Sequence, residues 1–385
     1  MKRIYMDHGA TTPLREEVLE AMLPFLQPVP SNPSSLHFFG REARQALNES
    51  REKVALALGA LPEEIIFTSG GTEANNLAIQ GTARALSSRG KHIITSAIEH
   101  PAVLNTVKYL AQIGFDCTIL PVDQYGMVDP DELRKAITGQ TILVTIMTAN
   151  NEIGTIQPID EIGKICREKE VYFHTDAVQA IGHRPFNLKE DPIDMLSVSA
   201  HKFYGPKGIG FLYIRKGLKM KQVFWGGGQE HKLRPGTENL PGIVGLARAI
   251  ELATQNLAEE STKLTRLRDK LIKGLLEVED VRLNGHPTKR LPGNVNVSVY
   301  YAEGESILLS LDLKGIAVSS GSACSSGALE PSHVLMALGL DPQAAHGSLR
   351  FTLGKDNTEE EVNYTIGVFQ EIVNRLRKMS PVMKG

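Results

Sequence analysis

Between about residues 63 and 214 the chain alternates short apolar runs with amphipathic stretches, and this rhythm constrains the fold more than any other feature. β-rich runs are predicted at Glu64–Thr68, His92–Ser96, Cys117–Val122, Ile142–Met147, Val171–His174, Met195–Val198 and Gly210–Ile214. Helical patterns separate several of them, at Ala74–Ser88, Ala102–Ile113, Pro130–Ile137 and Ile159–Glu170. A run with no polar face, such as TILVTIM, belongs at the centre of a sheet covered on both sides. The alternation therefore predicts an α/β protein with a mostly parallel sheet.

Past about residue 245 the rhythm changes. One long helical stretch is predicted from Ile243 to Val278. Strands follow at Asn294–Val299 and Ile316–Ser319, with helices near Ser306–Leu311, Pro331–Ala337 and Glu359–Lys378. That pattern predicts a second, α+β unit, with the boundary near Gly245–Leu257 and a helix across Gly245–Val278 linking the two. A chain of 385 residues is long enough for such a division.

Charge and cysteine usage narrow the function classes. Forty-two Lys and Arg against 44 Asp and Glu leave a net charge of −2, so no global basic field draws nucleic acid or an anionic membrane. No apolar run approaches the roughly 18 residues of a spanning helix, and Asp7 interrupts the N-terminus before a signal-peptide core could form. Cys117, Cys166 and Cys324 are too few for a disulfide framework and fit a reducing compartment. The expectation is a soluble, cytoplasmic protein with no direct nucleic-acid or membrane partner. No Cys/His cluster has metal-site spacing, so no metal is expected.

Four motifs carry chemistry. In SVSAHKFYGPKG a strand ends at Ser199-Ala200-His201-Lys202. A lysine buried there would have a depressed pKa and suit a Schiff base, although an isolated lysine in such a turn reads more readily as a surface residue. In VYFHTDAVQAIG, Asp176 stands just past a strand, where open α/β sheets bind ligands; a pyridine cofactor needs such a carboxylate at its ring nitrogen, and a helix cap is the alternative. In EEIIFTSGGTEANN a strand, Gly70-Gly71-Thr72 and a helix follow one another, which suits an anion at the helix start or is a plain turn. His100, after the strand Ile93–Ser96, falls on the same sheet edge or caps a helix.

The fourth motif is Cys324 in SSGSACSSG. Cys117 and Cys166 sit in strand-like and helix-like contexts as small apolar fillers. Cys324 has no such context, and its surroundings are nearly all Ser, Gly and Ala, which points to a reactive thiol. Arg350 lies inside the strand-like run GSLRFTL, where its fork would match a carboxylate or a structural acid. The loop Arg234-Pro235-Gly236-Thr237-Glu238-Asn239 offers donors for a phosphate or a subunit boundary.

Taken in order, from Tyr5-Met6-Asp7-His8-Gly9-Ala10-Thr11-Thr12 to Arg350-Phe351-Thr352-Leu353-Gly354, these motifs resemble the cysteine desulfurase family of the NifS/IscS type, within the fold type I pyridoxal phosphate (PLP) enzymes. The resemblance implies a large PLP domain built on a mostly parallel seven-stranded sheet, over residues 13–250. A small domain from 1–12 and 251–385 would carry Cys324. It implies a homodimer that removes sulfur from L-cysteine, releasing L-alanine and leaving a persulfide on Cys324. The sulfur would pass to an iron–sulfur scaffold or a tRNA-thiolating enzyme.

Residue by residue, Lys202 resembles the lysine that carries PLP as a Schiff base, Asp176 the partner of the ring nitrogen, and Gln179 the donor to the ring hydroxyl. His100 would stack on the ring and is the candidate base for Cys324. Gly71, Thr72, Ser199 and His201 resemble the phosphate cradle, with Thr237 reaching it from the other subunit. Asn151 sits near the cofactor, and Arg350 would clamp the substrate carboxylate with help from Asn32. Pro235 and Lys355 depart from the family pattern, which more often has a small residue and an Arg there. A selenocysteine lyase or PLP aminotransferase on the same scaffold, and an inactive sulfur-transfer scaffold, are the rival readings.

Overall fold

The computed structural model describes residues 3–27, 32–320 and 331–379. A seven-stranded sheet organises the first two thirds. Its spatial order is Ile65–Thr68, Gly210–Ile214, Met195–Ser199, Tyr172–Asp176, Thr141–Thr145, His92–Ser96 and Asp116–Leu120. Six strands run parallel; Gly210–Ile214 alone is antiparallel to both of its neighbours. The seven strands expected from the sequence are all present, with no end shifted by more than two residues. Thr141–Thr145 is buried at every position, as a run without a polar face requires.

Helices cover both faces, so apolar side chains such as Val144, Phe173 and Leu196 meet one layer while Ile93, Leu143 and Met195 meet the other. Three helices have no counterpart in the sequence reading: Glu16–Leu26, the 21-residue Phe38–Leu58 and the short Pro342–His346. The second buries Ala43, Leu47, Ser50, Val54 and Leu58 along one stripe at helical spacing and packs on Leu240–Gln255.

The long helix expected across Ile243–Val278 is two helices, Leu240–Gln255 and Leu257–Leu276, broken at Asn256, whose φ of −103° and ψ of 10° leave the helical basin. Leu252 and Ala253 pack into the core of the large sheet, whereas Leu264, Leu267 and Leu271 belong to a second core. The chain therefore changes core at Asn256, within the stretch Gly245–Leu257.

The second core lies on a four-stranded antiparallel sheet ordered Ser319–Ser320, Ser348–Thr352, Asn294–Val299, Val281–Leu283. The N-terminal strand Ile4–Tyr5 joins this unit by pairing in parallel with Ile316–Ala317. It then carries residues 7–10 across to the end of the large sheet.

Candidate active site

Because the strands run parallel, their carboxyl ends meet at one edge, where open α/β sheets bind ligands. A cavity of about 290 Å³ opens there. Asp176 is the last residue of its strand and is held from two sides. Asn75 Nδ2 donates to Oδ2 at 2.6 Å and the Val178 N–H donates to Oδ1 at 2.9 Å. Lys202 follows the neighbouring strand in a one-turn helix, Ala200–Lys202, and its Nζ donates to the carbonyls of Gly9 and Ala10. Gln179 Nε2 reaches the same Gly9 carbonyl at 3.0 Å.

The anion-binding end is built by the helix Gly71–Leu86, whose first residues line the cavity. Gly70 has a φ of +152°, open to glycine alone, and a Cβ on Gly71 would stand 2.6 Å from Val178 Cγ2. The helix start thus lies against the turn that positions Asp176. Ser199 and His201 line the same cavity. His201 Nδ1 meets Thr11 Oγ1 at 3.1 Å, and burial, then Lys202 and Lys207, push its pKa down to about 4, so the ring is neutral at pH 7.

His100 is both cap and cavity wall. Its Nδ1 accepts the Ala102 N–H at 3.1 Å, so the bond assigns the proton to Nε2. Burial lowers its pKa, Lys202 and His333 push the same way, and Asp176 opposes them. The result is a neutral ring suited to stacking.

Arg350 lies in the strand Ser348–Thr352 and is 1% exposed. Nη1 donates to the Asn151 carbonyl and Nη2 to Asp7 Oδ1, both at 3.0 Å, while Nε has no hydrogen-bond partner among the described residues. A guanidinium that lines the cavity and keeps donors beyond these two bonds is a ready partner for a carboxylate.

Thus Gly71, Thr72, His100, Asn151, Asp176 and Gln179 share one cavity with Ser199, His201, Lys202 and Arg350. Asn32 and Thr237 do not line it. Asn32 is exposed and its Oδ1 accepts the Ser34 N–H at 2.9 Å; Thr237 is exposed on its loop. Cys324 lies outside the described residues. The sequence reading missed Asn75 and Asp7. Asn75 lies one turn into the helix after the Gly-Gly-Thr turn, a spacing that could have flagged it; Asp7 gave no sign that it meets Arg350.

These residues fit PLP: a fixed carboxylate for the ring nitrogen, an amine for the aldehyde, a neutral imidazole for the ring face and a helix start for the phosphate. Fold and site together define a PLP-dependent enzyme of fold type I. The aminotransferase class-V family model matches residues 4–365. The chain is 58% identical to a cysteine desulfurase IscS from Dictyoglomus turgidum, over 99% of this chain and 97% of that one. It is also 58% identical to a cysteine desulfurase IscS from Methanosarcina thermophila, over 99% and 94%. A solved NifS-like protein superposes with a TM-score of 0.92 at 43% identity, covering 97% of this chain and 100% of that one. The chain belongs to the class-V aminotransferase family and, within it, to the cysteine desulfurases.

Proposed function

We propose that this cysteine desulfurase takes L-cysteine apart with Lys202, Arg350 and Cys324. The supporting observation is the convergence of Asp176, Lys202, His100 and the Gly71 helix start on one cavity that Arg350 enters from the second sheet. Bound PLP supplies an electron-withdrawing ring that accepts electrons released at the substrate α-carbon. Asp176 keeps a proton at the ring nitrogen, Gln179 donates to the ring hydroxyl, and His100 covers the ring. Gly71, Thr72, Ser199 and His201 seat the phosphate, completed by the partner subunit's Thr237.

Arg350 takes the substrate carboxylate through its remaining donors, with Asn151 beside it, and Lys202 Nζ moves the α-proton. Cys324, as thiolate, attacks the substrate sulfur. The Cβ–S bond breaks as an S–S bond forms, and the electron pair left on Cβ takes up a proton, giving L-alanine and a persulfide. A thiol of ordinary pKa, near 8.5, is mostly protonated at pH 7. His100 is its candidate base. That role requires the ring proton to shift from Nε2 to Nδ1, breaking the Ala102 bond at a cost of about 1 kcal/mol.

Residues 13–250 act as the cofactor-binding part, and 1–12 with 251–385 as the part bearing Arg350 and Cys324. A homodimer fits the exposed leucines Leu19, Leu23 and Leu26, which follow one another at helical spacing on Glu16–Leu26 and are each 43–57% exposed. A cytoplasmic location fits the unpaired thiols of Cys117 and Cys166. An iron–sulfur scaffold or a tRNA-thiolating enzyme takes the sulfur. No described helix is long and apolar enough to cross a membrane.

The test follows alanine and sulfide from L-cysteine in the PLP-loaded protein. Lys202→Ala is expected to abolish both and to remove the visible absorbance of bound cofactor. Alanine release by that variant would overturn the assignment.

A further inference from the structure

Glu152 is a buried carboxyl that the reaction just described does not use. It follows Asn151, is 4% exposed, and accepts the hydroxyl hydrogen of the equally buried Ser332. Its backbone is pinned as well: the N–H donates to Asn150 Oδ1 at 2.8 Å, and the carbonyl accepts from Asn294 and Asn296 at 3.2 and 3.1 Å. The carboxyl is therefore held to one place.

Ser332 caps the helix His333–Ala337, and His333 Nε2 meets the Glu99 carbonyl at 3.0 Å. Two consecutive residues are thus fastened to the loops that follow two neighbouring strands of the sheet, His92–Ser96 and Thr141–Thr145, and the sequence neighbours of their partners, His100 and Asn151, line the cavity. Beneath the polar bonds, Val334 and Leu335 pack with Ile98, Met147 and Ile153. Ser332 stands eight residues beyond Cys324 (332 − 324). On the other side of that segment Ser319 pairs with Arg350.

We propose that Glu152 is a positioning residue: by holding Ser332 it fixes where the chain leading from Cys324 rejoins the fold, and so sets the rate of sulfur capture. The inference rests on the sulfur-acceptor role of Cys324. Reacting atoms must come within about 3–3.5 Å, and a displacement of about 1 Å can cost up to a hundredfold. The apolar contacts of Val334 and Leu335 do not depend on the polar bond, so cutting it lets Ser332 shift without unfolding the unit. Arg350 also acts electrostatically on Glu152, which makes an effect on substrate affinity the rival outcome.

The experiment is a single turnover of the PLP-loaded protein at saturating L-cysteine, following alanine and the sulfur on Cys324 by mass spectrometry. The cysteine-induced change in cofactor absorbance is recorded separately. Glu152→Ala and Ser332→Ala are each expected to slow the turnover about tenfold, with KM within about twofold and the absorbance change intact. The double variant should be no slower than the slower single one, because both cut the same bond. Glu152→Gln, whose amide oxygen still accepts from Ser332, should restore most of the rate. A parent rate in Ser332→Ala, additive losses, or a raised KM with an unchanged saturated turnover overturns the proposal. Should the parent protein release alanine with no sulfur on Cys324, the acceptor assignment fails first, and this inference with it.

Discussion

A guanidinium buried as deeply as that of Arg350 needs a partner, and Asp7 supplies the opposite charge. The same turn sends its Gly9 carbonyl to Lys202 and Gln179, so one short N-terminal segment touches three groups of the site. Lys202 and Asp176 were legible only together with the other motifs at the same sheet edge, since each alone reads as a turn lysine or a helix cap. Asp7 and Asn75 were not, since their partners lie 343 and 101 residues away and only folding joins them. Glu99 was equally hidden. Its Oε1 accepts from Ser96 Oγ and the Met147 N–H, Oε2 has no partner among the described residues, and burial pushes the carboxyl up to about 8, with the Asp176 charge adding to the rise. Between about pH 4.5 and 8 the unfolded chain loses this proton while the folded protein keeps it, so the contribution of Glu99 to stability falls as pH rises through that window. Glu99→Gln cannot ionise and should gain on the parent as pH rises from 5 to 8.5. A tenfold change in proton affinity is about 1.4 kcal/mol, so the difference in melting temperature should move by about 2 °C or more. A difference that ignores pH would show that Glu99 titrates normally.

Strands were the most legible elements, because continuous apolar runs between turn residues have one compatible environment in a covered sheet. The stripe on Phe38–Leu58 was present in the sequence, but polar Ser50 and Arg51 interrupt it; Arg51 is buried only through a two-bond ion pair with Glu230. Asn256 escaped notice because nothing local forbids a helix through it; the break serves two cores that face different ways. The Gly71 helix start shows how tightly an element is fitted to the chemistry. Gly71→Ala would drive its Cβ against Val178, whose N–H orients Asp176. Such overpacking costs about 1–3 kcal/mol, and we expect PLP affinity to fall about tenfold or more in an absorbance titration. Unchanged affinity would mean that Val178 moves aside without disturbing Asp176.

At the scale of the whole molecule, the site is a meeting of two units. The large sheet provides an amine, a carboxylate and an anion seat at its carboxyl edge. The small sheet brings Arg350 from the strand Ser348–Thr352, and its edge strand Ser319–Ser320 leads toward Cys324 in sequence. The two-unit plan could be read from the change of rhythm after about residue 245, but the return of the N-terminus to the second unit has no local signal, since a two-residue strand acquires meaning only through its pairing with Ile316–Ala317. Under the proposed assignment the division separates two tasks, holding the cofactor and carrying sulfur, and the nucleophile stands outside the large sheet. The most direct test is the mass of the peptide bearing Cys324 after one turnover with L-cysteine, in the parent protein and in Cys324→Ser. The account expects one added sulfur atom on Cys324 in the parent, and in the variant no such adduct and no alanine, with cofactor absorbance retained. Alanine released at the parent rate by Cys324→Ser would contradict it.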